Sequence, residues 1–340
     1  MTQINTPVSY KNKHPLADFV RIFARGKNAS RSMTFNEAKF TMGELVAGRF
    51  EPEQLGAILM LLRVKEETAE ELAGFAAAIN DQWPAAPEGA MAYDLVWPSY
   101  AGKRRQPFWC LLSALLLEQM GYRILFHGST AHTEGRVYLH EVFEQLNLPT
   151  LNTLEQINHG PSLAYLPCAE INPVFQRWLS LKAILGVRSP INTLLKTIAP
   201  SGVASVQGIF HPGYAITHAG AAAINGNDML VIKGEGGEFE VNPERACRAR
   251  YHLNGQSGEL VITNQQSHFA DKPEGIESSL LTRLWQGQLT SDYALQAVIH
   301  TAALALVTIR KQPEQLEALI AECHAAWQAR DKTRLDNNRE

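Results

Sequence analysis

The feature that most constrains this fold is a change of hydrophobic period near residue 90. Before it, apolar residues recur every three or four positions, a spacing that predicts amphipathic helices. After it, short apolar runs alternate with helical segments, which indicates βαβ units. The sequence therefore predicts an α/β protein: a small N-terminal helical domain plus a larger α/β domain with a mostly parallel central sheet.

The helical domain is predicted over residues 1–84. Thr34 and Thr68 each precede a glutamate by three positions, the spacing of a capping box that starts a helix. Pro52 suits the first turn of another helix, where its missing N–H is not needed. The segment 84–89, which contains proline and glycine, is predicted to be the linker.

The α/β domain is predicted over residues 90–330. Its strands are expected near residues 92–97, 122–127, 203–210 and 229–233, followed by an antiparallel pair joined by Asn254-Gly255. A helix around residues 173–186 is expected to pack on the helical domain. Charges of both signs crowd residues 331–340, which are predicted to be a disordered tail.

Composition limits the classes of partner. The 340 residues carry 31 Lys and Arg against 34 Asp and Glu, a net charge of −3, so a nucleic-acid partner requires a local basic patch. Four widely spaced cysteines form no Cys-x-x-Cys pair, which favours free thiols and a cytoplasmic location. No uninterrupted apolar run reaches the roughly 18–20 residues that cross a bilayer, so no membrane partner is expected.

Catalytic motifs are missing from the sequence, which contains no His-Glu-x-x-His, no Gly-x-Ser-x-Gly and no Walker A pattern. His127, His132 and His140 have no standard metal-site spacing. Glu235, Glu238 and Glu240 follow a predicted strand and fit either Mg²⁺ binding through substrate phosphates or a solvated hairpin. No catalytic residue, metal ligand or cofactor is predicted.

The loop after the first predicted strand carries Lys103, Arg104 and Arg105. Ligands of α/β proteins commonly lie at the carboxyl ends of strands, and phosphate loops there are normally rich in glycine. Here only Gly102 lies at the centre of the loop, so the cations either hold an anion through their side chains or are simply solvated. Trp97 and Tyr100 beside them fit either base stacking or, for Trp97, the core.

The order of motifs resembles that of anthranilate phosphoribosyltransferases, of glycosyltransferase family 3. The resemblance covers roughly residues 15–325 and rests on the segments 94–96, 126–129, 172–173, 185–192 and 230–234. It implies a small helical domain, a larger α/β domain and a homodimer formed through the helical part. More narrowly, the chain is similar to the TrpD-like branch typified by YbiB, which is regarded as nucleic-acid-binding rather than biosynthetic.

Several positions depart from what this resemblance implies for catalysis. The family's glycine-rich substrate loop corresponds to residues 98–103, where Pro98 and Tyr100 replace small residues. Lys182 stands where the family has the arginine that meets anthranilate. Of the acidic pair that binds Mg²⁺, Phe239 replaces the aspartate and Glu240 remains. The expected phosphoribosyl transfer is therefore in doubt.

We predict a non-catalytic, sequence-independent nucleic-acid-binding protein that holds the phosphate backbone of DNA or RNA in a basic groove between its domains. The alternative is a phosphoribosyltransferase or phosphorylase-like enzyme with an altered substrate, and a third possibility is a protein-interaction scaffold. The predicted nucleic-acid-binding residues are Lys103, Arg104, Arg105, Lys182, Arg188, Arg21, Arg25 and Lys27.

Overall fold

The computed structural model describes residues 13–26, 28–84, 93–264 and 266–336. Within the first two ranges the helices are α1 (Ala17–Ala24), α2 (Phe35–Val46), α3 (Pro52–Lys65) and α4 (Ala69–Asn80). Both predicted capping boxes are confirmed, since the Thr34 and Thr68 side chains accept hydrogen bonds from the backbone N–H groups three residues on. Most of the predicted linker falls on residues 85–92, outside the described residues.

A single mixed sheet dominates the rest of the described chain. Its strands are β1 (Leu95–Ser99), β2 (Ile124–Gly128), β3 (Leu163–Pro167), β4 (Ala204–Ile209), β5 (Met229–Lys233), β6 (Cys247–Leu253) and β7 (Gln256–Ile262). Their order is β3-β2-β1-β4-β5-β6-β7; the first five are parallel, and β6 and β7 are antiparallel. This confirms the predicted fold class.

The sequence predicted the hairpin between β6 and β7 but not strand β3. Asn254 and Gly255 both have positive φ and join β6 to β7 in a two-residue hairpin, as predicted. Strand β3, which ends in a proline, was not predicted. As an edge strand it tolerates that proline, which has no N–H to donate.

The sheet is covered by helices on both faces. They are α5 (Trp109–Gln119), α6 (Leu139–Gln145), α7 (Cys168–Ile171), α8 (Val174–Ser180), α9 (Lys182–Leu185), α10 (Ile191–Leu194), α11 (Tyr214–Asn225), α12 (Ser278–Gln286), α13 (Asp292–Arg310) and α14 (Leu316–Gln328). The largest core lies between one face of the sheet and α5, α13 and α14. Within the described residues, α13 alone has the length and composition of a membrane span, but 72% of its apolar window is buried, as in a core helix.

The second core joins the helical domain to the other face of the sheet. Phe175 and Trp178 of α8 are buried in the same cluster as the apolar faces of α1 to α4. Trp178 meets Phe50 edge-on with 6.3 Å between ring centroids. Asn172 donates a hydrogen bond to the Val46 carbonyl at 3.1 Å. Residues around α8 therefore hold the two parts of the chain together.

The predicted disorder of the tail is wrong over residues 331–336. Leu335 is buried against the large core, and Arg334 forms an ion pair of 3.1 Å with Glu118 of α5. The Trp285 indole N–H donates to the Asp331 carbonyl at 2.8 Å. A buried leucine and these polar contacts outweigh the charged composition that suggested disorder. Residues 337–340 lie outside the described residues.

Candidate anion-binding cleft

The strand order places a crevice between the carboxyl ends of β1 and β4. From β1 the chain moves to β2 and β3 on one side, and from β4 to β5 on the other. At such a reversal the loops leaving adjacent parallel strands diverge, and ligands of open α/β sheets bind there. A cleft of about 160 Å³ lies at this point, lined by Ala101 after β1, Phe210 after β4, Gly237 after β5 and Arg63 of α3.

Lys103 points into the protein and away from the cleft, which corrects the expectation that it meets a ligand. Its side chain is 2% exposed, and its ammonium pairs with the Glu240 carboxylate and donates to the Pro107 carbonyl at 2.7 Å. Glu240 also accepts from the Cys110 N–H at 2.9 Å. Burial raises the pKa of Glu240, and the Lys103 charge opposes that rise. The pair fastens the β1 loop to the segment after β5.

Glu238 fills the place near the β1 loop where an anion would bind. Its carboxylate accepts the backbone N–H groups of Ala101 and Gly102, both at 2.8 Å. Gly102 has φ +66°, a left-handed conformation that turns these two N–H groups toward one acceptor. Backbone donors of this kind hold phosphate in other loops. Here the protein supplies its own carboxylate.

The other glutamate of this segment is also engaged. Glu235 accepts from Asn242 at 2.7 Å and pairs with Arg245 at 3.2 Å. No group of three or more His, Cys, Asp or Glu side chains in the described part of the chain is arranged to hold a metal ion. Of the two interpretations of Glu235, Glu238 and Glu240, neither a hydrated hairpin nor a free metal site fits, because Glu238 and Glu240 are buried.

Three arginines without an ion pair among the described residues come from three loops. Arg104 leaves the β1 loop, Arg136 lies between β2 and α6, and Arg188 lies between α9 and α10. Burial lowers the pKa of Arg136, and the charges of Arg188 and Arg104 lower it further, so each of these two arginines lies within electrostatic reach of Arg136. We call them the arginine cluster. None of its members has an ion pair with a carboxylate among the described residues.

Arg136 shows what the cluster lacks. One of its Nη atoms donates to the Ala101 and Gly102 carbonyls at 2.9 and 2.6 Å, so the side chain is fixed in place. Its buried Nε–H has no acceptor in the structure. A charged donor without an acceptor is costly, and an anionic oxygen is the acceptor that guanidinium groups bind best.

The floor of the cleft carries a further cation, Lys196. Its side chain is 7% exposed and donates to the Gly208 and Gly237 carbonyls at 2.5 and 2.7 Å. Burial lowers its pKa to about 8, while the Glu238 carboxylate acts in the opposite direction. Lys196 therefore keeps most of its charge near neutral pH and adds to the positive potential of the cleft.

His218 lies beside Lys196 in the cleft lining and is held as a neutral ring. Its Nδ1 donates to the Gln207 side-chain oxygen at 2.7 Å, because the Gln207 amide nitrogen already donates to Ser205 at 3.1 Å. Burial lowers its pKa to about 3. Its Nε2 is therefore an acceptor, and it has no partner in the structure.

The aromatics at the cleft differ from those that the sequence indicated. Trp97 and Tyr100 are 1% and 0% exposed, so neither can stack on a ligand base. The Tyr100 hydroxyl bonds to His127 Nδ1 at 2.7 Å within the core. Phe210, directly after β4, is 60% exposed and lines the cleft.

The structure brings only part of the predicted set together. Arg104 and Arg188 belong to the arginine cluster, of which Arg188 lines the cleft and Arg104 and Arg136 lie outside its lining. Arg105 and Lys182 are exposed but do not line the cleft. Arg21 and Arg25 are exposed on or directly after α1, where Arg21 pairs with Asp18 at 2.8 Å. Lys27 lies outside the described residues.

Sequence reasoning missed Arg136, Lys196, His218, Phe210 and Arg63. Each is isolated in the sequence, so no local cluster pointed to it. Phe210 is the last residue of a predicted strand and His211 follows it, and that position was an available signal. Arg63 belongs to an ordinary amphipathic helix, and only the packing of the helical domain brings it to the cleft.

Comparisons with known proteins agree with this architecture. A family model described as "Glycosyl transferase family, helical bundle domain" matches residues 19–82. The chain is 28% identical over 256 residues to the uncharacterized protein YbiB of Escherichia coli, covering 73% of this chain and 78% of that protein. It is 27% identical over 244 residues to an anthranilate phosphoribosyltransferase of Oleidesulfovibrio alaskensis, covering 68% of this chain and 72% of that one.

A solved structure shows the same fold. The anthranilate phosphoribosyltransferase of Thermus thermophilus superposes with a TM-score of 0.71 at 24% identity, covering 88% of this chain and 93% of that chain.

Proposed function

Because the chain belongs to the glycosyl transferase family that has the anthranilate phosphoribosyltransferase fold, we propose that its cleft binds the phosphate backbone of nucleic acid without catalysis. The observation that carries this proposal is the arginine cluster: three guanidinium groups from separate loops, none paired with a carboxylate in the described part of the chain. Phosphate is the anion that such a cluster suits, because guanidinium groups bind its oxygens through parallel N–H bonds.

The positions next to the cluster favour binding over phosphoribosyl transfer. Glu238 already occupies the backbone donors of Ala101 and Gly102. Glu240 is engaged by Lys103. A substrate pyrophosphate or its Mg²⁺ would have to displace these internal partners. An extended polyanion needs only the exposed Arg104 side chain and the half-buried Arg136 and Arg188 side chains.

Contacts with phosphates carry no base information, so binding is expected to be sequence-independent and to weaken steeply with salt. The acidic net charge of −3 makes the cluster a local patch on an otherwise acidic molecule. DNA and RNA share the phosphate backbone, and both are expected ligands.

A homodimer through the helical domain, as the resemblance implies, would place two clefts on one particle. Phe40 on α2 is 45% exposed and stacks on Phe19 of α1 at 5.1 Å, which leaves an aromatic surface on the helical domain. Two linked clefts would bind one long strand more tightly than either alone. Sedimentation equilibrium tests this: a monomer at micromolar concentration contradicts it.

The binding proposal is tested by fluorescence anisotropy of a labelled mixed-sequence oligonucleotide across a salt series. The wild type is compared with Arg104→Gln/Arg188→Gln and with the matched control Arg248→Gln/Arg250→Gln. The control removes the same charge from β6, where both arginines pair with Glu259. We expect the log-log salt slope to fall by about two in the first variant and little in the control. No binding at low salt contradicts the proposal.

A further inference from the structure

Resting on the proposed function, we infer that the cleft takes single-stranded nucleic acid, with one base stacked on Phe210 while the neighbouring phosphate lies against the arginine cluster. The inference concerns which nucleic acid binds and through which group. It is carried by an exposed aromatic ring, an unpaired acceptor and several cations around one small cleft.

Phe210 is placed where a base can reach it. Its ring is 60% exposed, although phenylalanine is among the residues most often buried. It lies at the carboxyl end of β4, and its Cβ lies near Gly237, where an added methyl carbon would be only 3.7 Å away. The exposed His211 ring meets it edge-on, with 5.0 Å between the ring centroids. The exposed part of the Phe210 side chain is open to a ligand.

The cations beside Phe210 distinguish it from an ordinary exposed hydrophobic residue. Arg188, Lys196 and Arg63 line the same cleft. An aromatic ring next to a row of cations is the arrangement by which proteins hold single strands, since every base has a face that stacks and every nucleotide has a phosphate. Within the lining of this cleft there is no carboxylate to repel the backbone.

His218 adds a requirement that phosphate alone does not meet. Its buried Nε2 accepts hydrogen bonds and has no partner. Phosphate oxygens are acceptors as well, so they leave this atom unsatisfied. Base amino groups and the ribose hydroxyl of RNA are donors that satisfy it. The cleft therefore suits a nucleotide with its base or sugar turned inward better than a bare phosphate.

The size of the cleft favours one nucleotide of a single strand over a duplex. Its volume is about 160 Å³, below the several hundred Å³ of a site that encloses a larger ligand. In a duplex the base faces are stacked on their neighbours, so Phe210 would reach one only after a base had been unstacked. A single strand presents its bases without that cost.

The test compares three labelled ligands of equal length by fluorescence anisotropy at fixed low salt. They are a mixed-sequence single strand, a single strand of abasic residues and a duplex of the same sequence. Each is titrated with the wild type, with Phe210→Ala and with Val261→Ala as the control. Val261 is also an exposed apolar residue, 41% accessible, but it lies on β7 at the edge of the sheet.

We expect the wild type to bind the mixed single strand about tenfold more tightly than the abasic strand, and Phe210→Ala to lose about that factor for the mixed strand alone. The salt slope of Phe210→Ala should remain that of the wild type, because no charge is removed.

Equal affinity for mixed and abasic strands, or tighter binding of duplex, overturns the inference but leaves phosphate binding intact. Salt-dependent binding of the abasic strand shows that the proposed function holds in that case. Binding of none of the three ligands overturns both proposals together. A Phe210→Ala affinity equal to that of Val261→Ala and the wild type also overturns the stacking inference, and circular dichroism confirms that the variants are folded.

Discussion

Lys103 and Arg104 are adjacent in the sequence, but the Lys103 side chain is buried and the Arg104 side chain is exposed. Lys103 turns inward and is neutralised by Glu240, and Glu238 takes the nearby backbone donors. Arg104 is exposed, forms a weak 3.4 Å contact with the Glu134 carbonyl, and lies within electrostatic reach of Arg136. The inner charges, Lys103, Glu238 and Glu240, hold loops together. The outer charges, those of the arginine cluster, have no ion pair with a carboxylate among the described residues. A cation marks the candidate site when no carboxylate neutralises it, and its place in a basic run of sequence is not enough.

Breaking the inner pair gives the largest expected effect. Lys103→Met leaves the Glu240 carboxylate buried without its counter-ion, which we expect to lower the free energy of unfolding by about 3–5 kcal/mol. Lys103→Met/Glu240→Leu should recover most of that loss because neither charge remains. Urea unfolding followed by circular dichroism measures both. A single variant as stable as the wild type contradicts the structural role of the pair.

The buried histidine under the cleft predicts a loss of stability in acid. His127 accepts from Tyr100 and donates to the Ile198 carbonyl at 3.2 Å, and burial lowers its pKa from 6.5 to about 3. Between those pH values the unfolded chain binds the proton and the folded one does not, so stability falls as pH falls from 6.5 to 3.

At pH 4.5 this histidine alone should lower the free energy of unfolding by about 3 kcal/mol relative to pH 7. His127→Gln is expected to be less stable at pH 7 and to depend less on pH in that window. The measurement is urea unfolding at a series of pH values. A variant whose profile runs parallel to that of the wild type would show that another group is responsible.

Two arginines outside the inner pair should behave differently, the half-buried Arg188 and the exposed Arg105. Arg188→Gln removes a cation from the cleft and should weaken oligonucleotide binding about fivefold at low salt, with a salt slope lower by about one. Arg105→Gln removes a cation next to Arg104 that does not line the cleft. Its expected loss is less than about twofold. Equal losses in an anisotropy titration would mean that general surface charge, rather than the cleft, attracts the ligand.

A small effect of the opposite sign is expected at the boundary between the two regions. The Glu238 charge acts on both Lys196 and Arg136. Glu238→Gln keeps an acceptor for the Ala101 and Gly102 N–H groups while removing the negative charge, so binding should tighten about two- to threefold. Weaker binding by a variant of unchanged stability would indicate that the carboxylate itself contacts the ligand.

The fold could be predicted from the sequence because the sequence patterns that indicate it are regular. Capping boxes at Thr34 and Thr68, the Asn254-Gly255 turn and the alternation of strands with helices all depend on near neighbours. Strand β3 was missed, although it has the same length as β1, β2 and β5. The order of motifs supplied the family.

The site was harder to predict because its residues meet only after folding. Lys103 and Arg104 cannot be told apart from the sequence, since the carboxylate that buries one of them lies 137 residues away. Arg136, Lys196 and Phe210 come from different loops and have no shared pattern. Of the run of three cations, Lys103 is buried in an ion pair, Arg104 is exposed and Arg105 lies outside the lining of the cleft.

The most direct test of this account compares the salt dependence of oligonucleotide binding between the two regions. Arg104→Gln/Arg188→Gln removes outer charges, and Lys103→Met/Glu240→Leu removes the inner pair. We predict that the first variant lowers the log-log salt slope by about two, whereas the second keeps the slope of the wild type. A lower slope in the inner variant with no change in the outer one would contradict the account.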